Sequence, residues 1–428
     1  MSKEKGIGYK DIFRQKQYMK MILAQLINRF GDSIDAIAFS WIIYEITNNA
    51  MWSAIIFGIN KLPSIIVTPF AGAWVEGRNK KTIIVVSDFV RGACVAFIAT
   101  GYLMDFLQPW MLVFTTIIIS TVEAFCGPAS TAILPQILEK KYYDYGMSLM
   151  SSLSSISEIV GTAVAAGIIA WIGSSGAIYI DMATFIISGI IISFIKTSNG
   201  KFEKKRFDST EYWTSFKEGF MYVKDKKVIM YLLGVCVFLN AILVPINCLE
   251  APLAKEILHS GVHILSVMSI ALTTGMVIGS VAYPFIRSIL NGKFIVFLCA
   301  TIIGLYYIGL IVFRPYFIDK LFLNIYIVFT SAFLGIIASV LMAYLNIEFT
   351  KRTDEQYMAR TASILTAFSS AATPIISFVV GAIVALVPIV WMFIIAGILG
   401  IIYGISALFV TVLDEEKVVN TMKEAIVE

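Results

Sequence analysis

Seven polar side chains sit where a bilayer-spanning chain keeps few: Asn28, Arg29, Asp32 and Asp35 in one apolar run, then Lys61, Glu123 and Glu158 near the middle of three others. An ionisable group at bilayer depth costs at least about 2.5–3.5 kcal/mol, so such groups face protein or water and carry function by default. Their chemistry is the handling of charge, not bond cleavage. Arg29 and Asp32 are three apart and share a helix face. They are expected to form a structural ion pair that makes insertion tolerable. Asp35 lies one step further, on the face of Asn28, with less claim on Arg29. Lys61, Glu123 and Glu158 are expected either to balance one another or to line an acidic cavity suited to a cation or a proton. Asp35 is the first candidate for proton coupling, Glu123 the second and Glu158 the third. Asp88 and Arg91, also three apart, read as a gate or packing pair near the cytoplasmic end of their run. Asp181 and Glu250 fall near outer ends, where water is close, and rank lower.

Other constellations are sparse. The two histidines, His259 and His263, lie four apart without further ligands, so no metal site is expected. The five cysteines are scattered through apolar segments with no CxxC pair, which suggests neither zinc nor a disulfide framework. No Walker A sequence occurs, so no cofactor is expected and an ion gradient is the candidate energy source.

The elements that carry these residues follow from composition. Of 428 residues, 58% are hydrophobic and 14% charged, against about 25% charged in a soluble domain. Apolar runs fall at 19–46, 50–75, 82–104, 110–134, 147–172 and 176–196, then at 228–250, 261–287, 293–313, 321–349, 361–386 and 388–412. Each is close to the roughly 20 residues that cross a bilayer as a helix. Of the 33 basic residues, only Lys255, Arg314 and Lys320 fall in alternate loops outside, and Arg29, Lys61 and Arg91 deep within runs. All the others lie on one side, in the segments or, as Lys20, Lys196, Arg287 and Lys293 do, at the adjoining ends of runs. The positive-inside rule therefore predicts both termini in the cytoplasm. A net charge of +4 spread this way is the mark of cytoplasmic loops and not of nucleic-acid binding.

The expected organisation is all-α and integral to the membrane, with twelve transmembrane helices. An N-terminal six-helix bundle spans 1–196, a cytoplasmic linker 197–227, and a C-terminal six-helix bundle with a short tail 228–428. In the linker, Tyr212, Trp213, Phe216, Phe220 and Val223 recur at helical spacing with Lys217, Lys224 and Lys226 between them. This predicts an amphipathic helix, either on the inner leaflet or as a connector hiding its apolar face. The C-terminal runs hold few central charges and many large apolar side chains, including Met276, Met342, Trp391 and Phe393. An adaptable apolar lining of this kind suits a hydrophobic substrate.

The segment from Gly72 to Ile84, GAWVEGRNKKTII, resembles the loop motif of the major facilitator superfamily, Gly-x-x-x-Asp-Arg-x-Gly-Arg-Arg/Lys. Gly72, Lys80 and Lys81 match; Glu76 replaces Asp, Gly77 replaces Arg, and Asn79 replaces Gly. Arg78 adds a charge within the loop. Phe30-Gly31-Asp32, Lys61-Leu62-Pro63, Ser87-Asp88-Phe89-Val90-Arg91, Gly127-Pro128-Ala129 with Leu134-Pro135, and Tyr357 to Thr361 together resemble the macrolide-efflux and enterobactin-exporter branch. The antiporter motif of helix 5 is incomplete, with Thr162 in place of proline. The resemblance implies the superfamily's two-bundle fold and a gating role for Gly72, Glu76, Arg78, Lys80, Lys81, Asp88 and Arg91. It also implies a monomeric carrier in the cell membrane that exports a hydrophobic or amphiphilic small molecule, a drug or macrolide type, by proton antiport. A siderophore exporter and a lysolipid flippase stay open as alternatives. A non-transporting scaffold and a membrane-embedded enzyme are weaker ones, since long loops, soluble domains and paired catalytic residues are all missing from the sequence.

Overall fold

The computed structural model describes residues 12–76, 78–197, 217–218, 220–354 and 358–410. Side chains of a few further helical positions, Gly72 and Glu76 among them, lie outside the described set, as do Tyr212, Trp213 and Phe216 of the linker. The long helices are α1 (Lys16–Thr47), α2 (Ala50–Glu76), α3 (Lys80–Leu103), α4 (Pro109–Ala132), a pair within Tyr143–Ser193, α7 (Lys227–Cys248), α8 (His263–Ile289), α9 (Gly292–Val312), α10 (Lys320–Arg352), α11 (Met358–Val384) and α12 (Ile389–Leu408). The pair breaks at Gly173, whose φ of 77° and ψ of 170° suit glycine alone. It separates α5 (143–172) from α6 (174–193).

Ten stretches among the described residues are long and apolar enough to cross a membrane, one of them being the α5–α6 pair. The remaining long helix, α1, is kept out of that set by its own charges, the residues of interest here. Trp171, Ile318 and Leu386 are 86%, 89% and 86% exposed. Water would penalise such a surface, and lipid does not.

Local sequence sets the breaks. Asn48 takes the left-handed conformation (φ 47°) that ends α1, and the Asn49 side chain accepts the Met51 N–H as the chain turns into α2. Asn79 caps α3 by accepting the Thr82 N–H, Pro109 starts α4 where its missing N–H costs nothing, and Asp319 caps α10 through Leu321 and Phe322.

The chain divides into two compact units, Met1–Trp52 with Ile59–Phe207, and Ser53–Gly58 with Asp208–Glu428. In the first, α1 lies along α5 and α6, and α3 packs on the same pair and on α4. In the second, α8 crosses α10, α9 crosses α12, and α7 meets α11. The α8–α10 crossing is made by glycines. A Cβ at Gly275 would overlap the Ala332 carbonyl, and one at Gly335 the Leu272 carbonyl. Lipid supplies no hydrophobic drive between helices, so such close backbone approach is what holds them. Gly335→Leu is expected to lower the melting temperature and the yield of monodisperse protein, with a loss above the roughly 1–3 kcal/mol of ordinary overpacking. An unchanged melting temperature would contradict this crossing.

The C-terminal end of the linker packs on the second unit. Val223 is buried and Phe220 stacks on Phe368 of α11, centroids 6.0 Å apart. The Tyr222 hydroxyl accepts the Asp354 N–H at 3.0 Å, and Lys226 pairs with Asp354 at 3.6 Å. Protein thus covers Val223 and part of Phe220.

Candidate functional site

The site is a cavity of about 400 Å³ in the first unit, bordered by α1, α3, α4, α5 and α6. Asn28, Arg29, Asp32, Asp88, Arg91 and Glu158 all line it. The helices are brought together at two points. At Gly31 an added Cβ would overlap the Thr184 hydroxyl and the Asp181 carboxylate of α6. At Gly161 one would lie 2.8 Å from the Phe30 carbonyl oxygen. A larger residue at either place would push α1 off the pair.

Packing this tight makes ion pairs between helices, and here the expected partners change. Arg29 does not pair with Asp32. Its Nη2 donates to Glu158 Oε2 of α5 at 2.6 Å and its Nε to the same oxygen at 3.2 Å. Asp32 is held instead by Arg91 of α3, Nη2 to Oδ1 at 2.9 Å. The spacing of Arg29 and Asp32 identifies only partners on one helix; neighbouring helices offer oppositely charged groups with better geometry. Arg29 and Glu158 are about half exposed at the cavity edge (47% and 40%), whereas the Arg91 side chain is 10% exposed. Arg91 also lies over the Phe185 ring at 4.1 Å, a cation–π contact.

Asp88 and Arg91 are likewise not paired with each other, nor do they belong to the loop after α2. Asp88 is fully buried and bridges three helices. It accepts from Asn28 Nδ2 of α1 at 3.2 Å and from Ser188 Oγ of α6 at 2.7 Å. Together these bonds make a polar core beside the cavity. Asn28 Oδ1 and Arg91 Nε are buried with no hydrogen-bond partner among the described residues.

Behind these lie Asp35 and Asp181. Asp181 is 1% exposed, accepts from the Thr184 hydroxyl at 3.2 Å, and interacts electrostatically with Asp35, Asp32 and Arg91. No hydrogen bond or ion pair reaches the Asp35 carboxylate among the described residues; its electrostatic neighbours are Asp32, Asp181 and Arg91. Glu123 is exposed on α4, within electrostatic reach of Asp32 and Arg91. Lys61 is exposed on α2 and does not line the cavity. Of the two acids expected near Lys61, Glu158 is held by Arg29. Of the loop residues, Arg78 stacks over Trp74 at 3.8 Å, Lys80 is buried, and Lys81 is half-buried.

Sequence position alone ranked Asp181 low. Its signal was Gly31, whose missing side chain admits the carboxylate. The sequence reading also passed over a second lock, Arg287–Glu348–Arg352, at 3.1 and 3.0 Å, which ties α8 to α10. Among the described residues no three His, Cys, Asp or Glu are grouped to hold a metal.

Carboxylates outnumber guanidiniums here: Arg29 and Arg91 stand among Asp32, Asp35, Asp88, Glu158 and Asp181, with Glu123 in electrostatic range.

Apolar spans that hold ionisable groups around a cavity are a build found in membrane transport proteins. The chain belongs to the MFS_3 family, described as transmembrane secretion effectors, whose match runs over residues 11–426. It is a member of the major facilitator superfamily of transporters. Among similar proteins, macrolide efflux protein A of Enterococcus faecalis is 24% identical over 318 residues, 73% of this chain and 95% of that protein. The uncharacterized MFS-type transporter YvqJ of Bacillus subtilis (strain 168) is 21% identical over 268 residues, 62% of this chain and 64% of its own length. The nucleoside transporter NupG shares the fold, with a TM-score of 0.73 at 10% identity over 92% of this chain and 98% of that one.

Proposed function

We propose that this transporter exports a hydrophobic or amphiphilic small molecule and that inward proton flow drives it. The observation that carries the reading is the excess of carboxylates around Arg91. A carrier coupled to protons needs buried carboxylates that can be neutralised in one state and charged in another. The first unit supplies them beside a cavity. Kinship with a macrolide efflux protein supports the outward direction and the amphiphilic substrate class. The basic loops support a cell-membrane protein with cytoplasmic termini, and a six-helix bundle on each side of the 197–227 linker is the organisation proposed for it, acting as a monomer.

Everted membrane vesicles test this. Acidifying the lumen should drive accumulation of a transported macrolide or amphiphilic dye, and a protonophore should abolish it. Uptake that survives the protonophore and follows a sodium gradient would refute proton coupling. Absence of uptake across macrolides, siderophores, lysolipids and dyes would refute the export reading.

A further inference from the structure

The second unit holds a cavity of its own, about 210 Å³, between α7, α8, α9 and α10. Its walls are mostly apolar, with Met268, Met276 and Met342 among them. One ionisable carboxylate, Glu250, enters it just beyond the end of α7. Among the described residues no hydrogen bond or ion pair reaches Glu250. The titratable groups within electrostatic range are Cys248 and Tyr306, neither of them a cation. Glu348 of the same unit shows the contrast, since two arginines hold it. Glu250 is therefore a carboxylate with no counter-charge among the described residues, set against a soft apolar wall.

We propose that this cavity is a recognition site for the ammonium head of an amphiphilic organic cation. The carboxylate supplies the counter-charge, and the Tyr306 ring lines the same wall. Aromatic faces and carboxylates together are the usual partners of alkylammonium groups. Methionine thioethers are polarizable and change rotamer at little cost, so they fit apolar groups of differing shape. At about 210 Å³ the space falls below the roughly 300–1,000 Å³ of sites that enclose a drug-sized ligand. It accommodates a head group and one ring, not a whole substrate. The proposal rests on the export reading for its use in transport, but binding requires no gradient, so the two can fail separately.

The test is calorimetric binding of benzyltrimethylammonium to the full chain in nanodiscs, beside its uncharged carbon isostere neopentylbenzene. The cation should bind the unaltered protein at least tenfold tighter than the isostere, a comparison that needs no variant. In Glu250→Gln that preference should fall to near unity. Met276→Ala should weaken both ligands together. Thermal unfolding of each variant establishes that it is folded. Equal affinity for cation and isostere in the unaltered protein, or a full cation preference in folded Glu250→Gln, overturns the proposal. Cation binding with no vesicle uptake of macrolides, siderophores, lysolipids or dyes would leave the site standing and remove the export reading.

Discussion

Arg91→Met is expected to destroy the N-terminal bundle, whereas Arg29→Met leaves it folded. Both remove an arginine that pairs with a carboxylate, and sequence alone treats them alike. The structure separates them by burial. The Arg29–Glu158 pair is about half exposed on both sides, and pairs of that kind contribute about 0–1 kcal/mol. Arg91 is nearly enclosed, holds Asp32 at 2.9 Å, and is the central cation for Asp35, Asp88 and Asp181 as well. Removing one partner of a buried pair costs about 3–5 kcal/mol, because the other charge is stranded. Here several carboxylates are stranded together. Arg91→Lys keeps the charge but loses the planar guanidinium on the Phe185 ring, so an intermediate loss is expected. Size-exclusion profiles and melting temperatures of the purified variants check this. Arg91→Met that melts with the unaltered protein would show that Arg91 does not hold the cluster. Arg29→Met that fails to fold would show that the cavity-edge pair matters more than its exposure allows.

The reason sequence could not rank these arginines is geometric. Spans are legible because hydrocarbon thickness fixes their length, and the basic loops are legible because their bias is one-dimensional. Helices α1 to α12 accordingly lie close to the twelve apolar runs, and the break at Gly173 falls between the fifth and sixth. Partner choice is a property of the packed bundle. Glu158 lies 129 residues from Arg29, and Arg91 lies 59 from Asp32. No periodicity spans such separations, so the only partner visible was the one three residues away. Depth was equally hidden. Asp181 and Glu250 looked close to water because they sit near the ends of their runs, yet Asp181 is 1% exposed, packed where Gly31 leaves room for it. What did carry over was the inventory. Asn28, Arg29, Asp32, Asp88, Arg91 and Glu158, read as costly groups, come to line one cavity.

Asp35→Asn is expected to abolish gradient-driven export while leaving the protein folded and able to bind substrate. The coupling group in a proton-driven carrier must exist in both protonation states, so a carboxylate locked by strong partners in the resting structure is a poor candidate. Asp32 would have to give up Arg91 at 2.9 Å. Asp88 would disturb donors from Asn28 and Ser188 on two other helices. Glu158 would release Arg29 at 2.6 Å. Asp181 has a hydroxyl donor and little room. Asp35 has neither a donor nor an ion-pair partner among the described residues, so taking up a proton breaks nothing. Losing that proton places a charge beside Asp32 and Asp181, with Arg91 as the shared cation. Its protonation state is thereby tied electrostatically to the group that joins α1 to α3. The amide copies the protonated form and cannot cycle, so uphill export should fall to the background of empty vesicles. Substrate binding and downhill exchange of substrate for substrate should persist. Asp32→Asn serves as the contrast. It leaves Arg91 without its ion-pair partner, so its expected defect is in folded yield, not in coupling alone. Uphill export by Asp35→Asn at the unaltered rate would remove Asp35 from the mechanism. Loss of downhill exchange along with uphill export would instead place Asp35 in substrate binding, and coupling would then have to run through one of the carboxylates that the bundle holds in place.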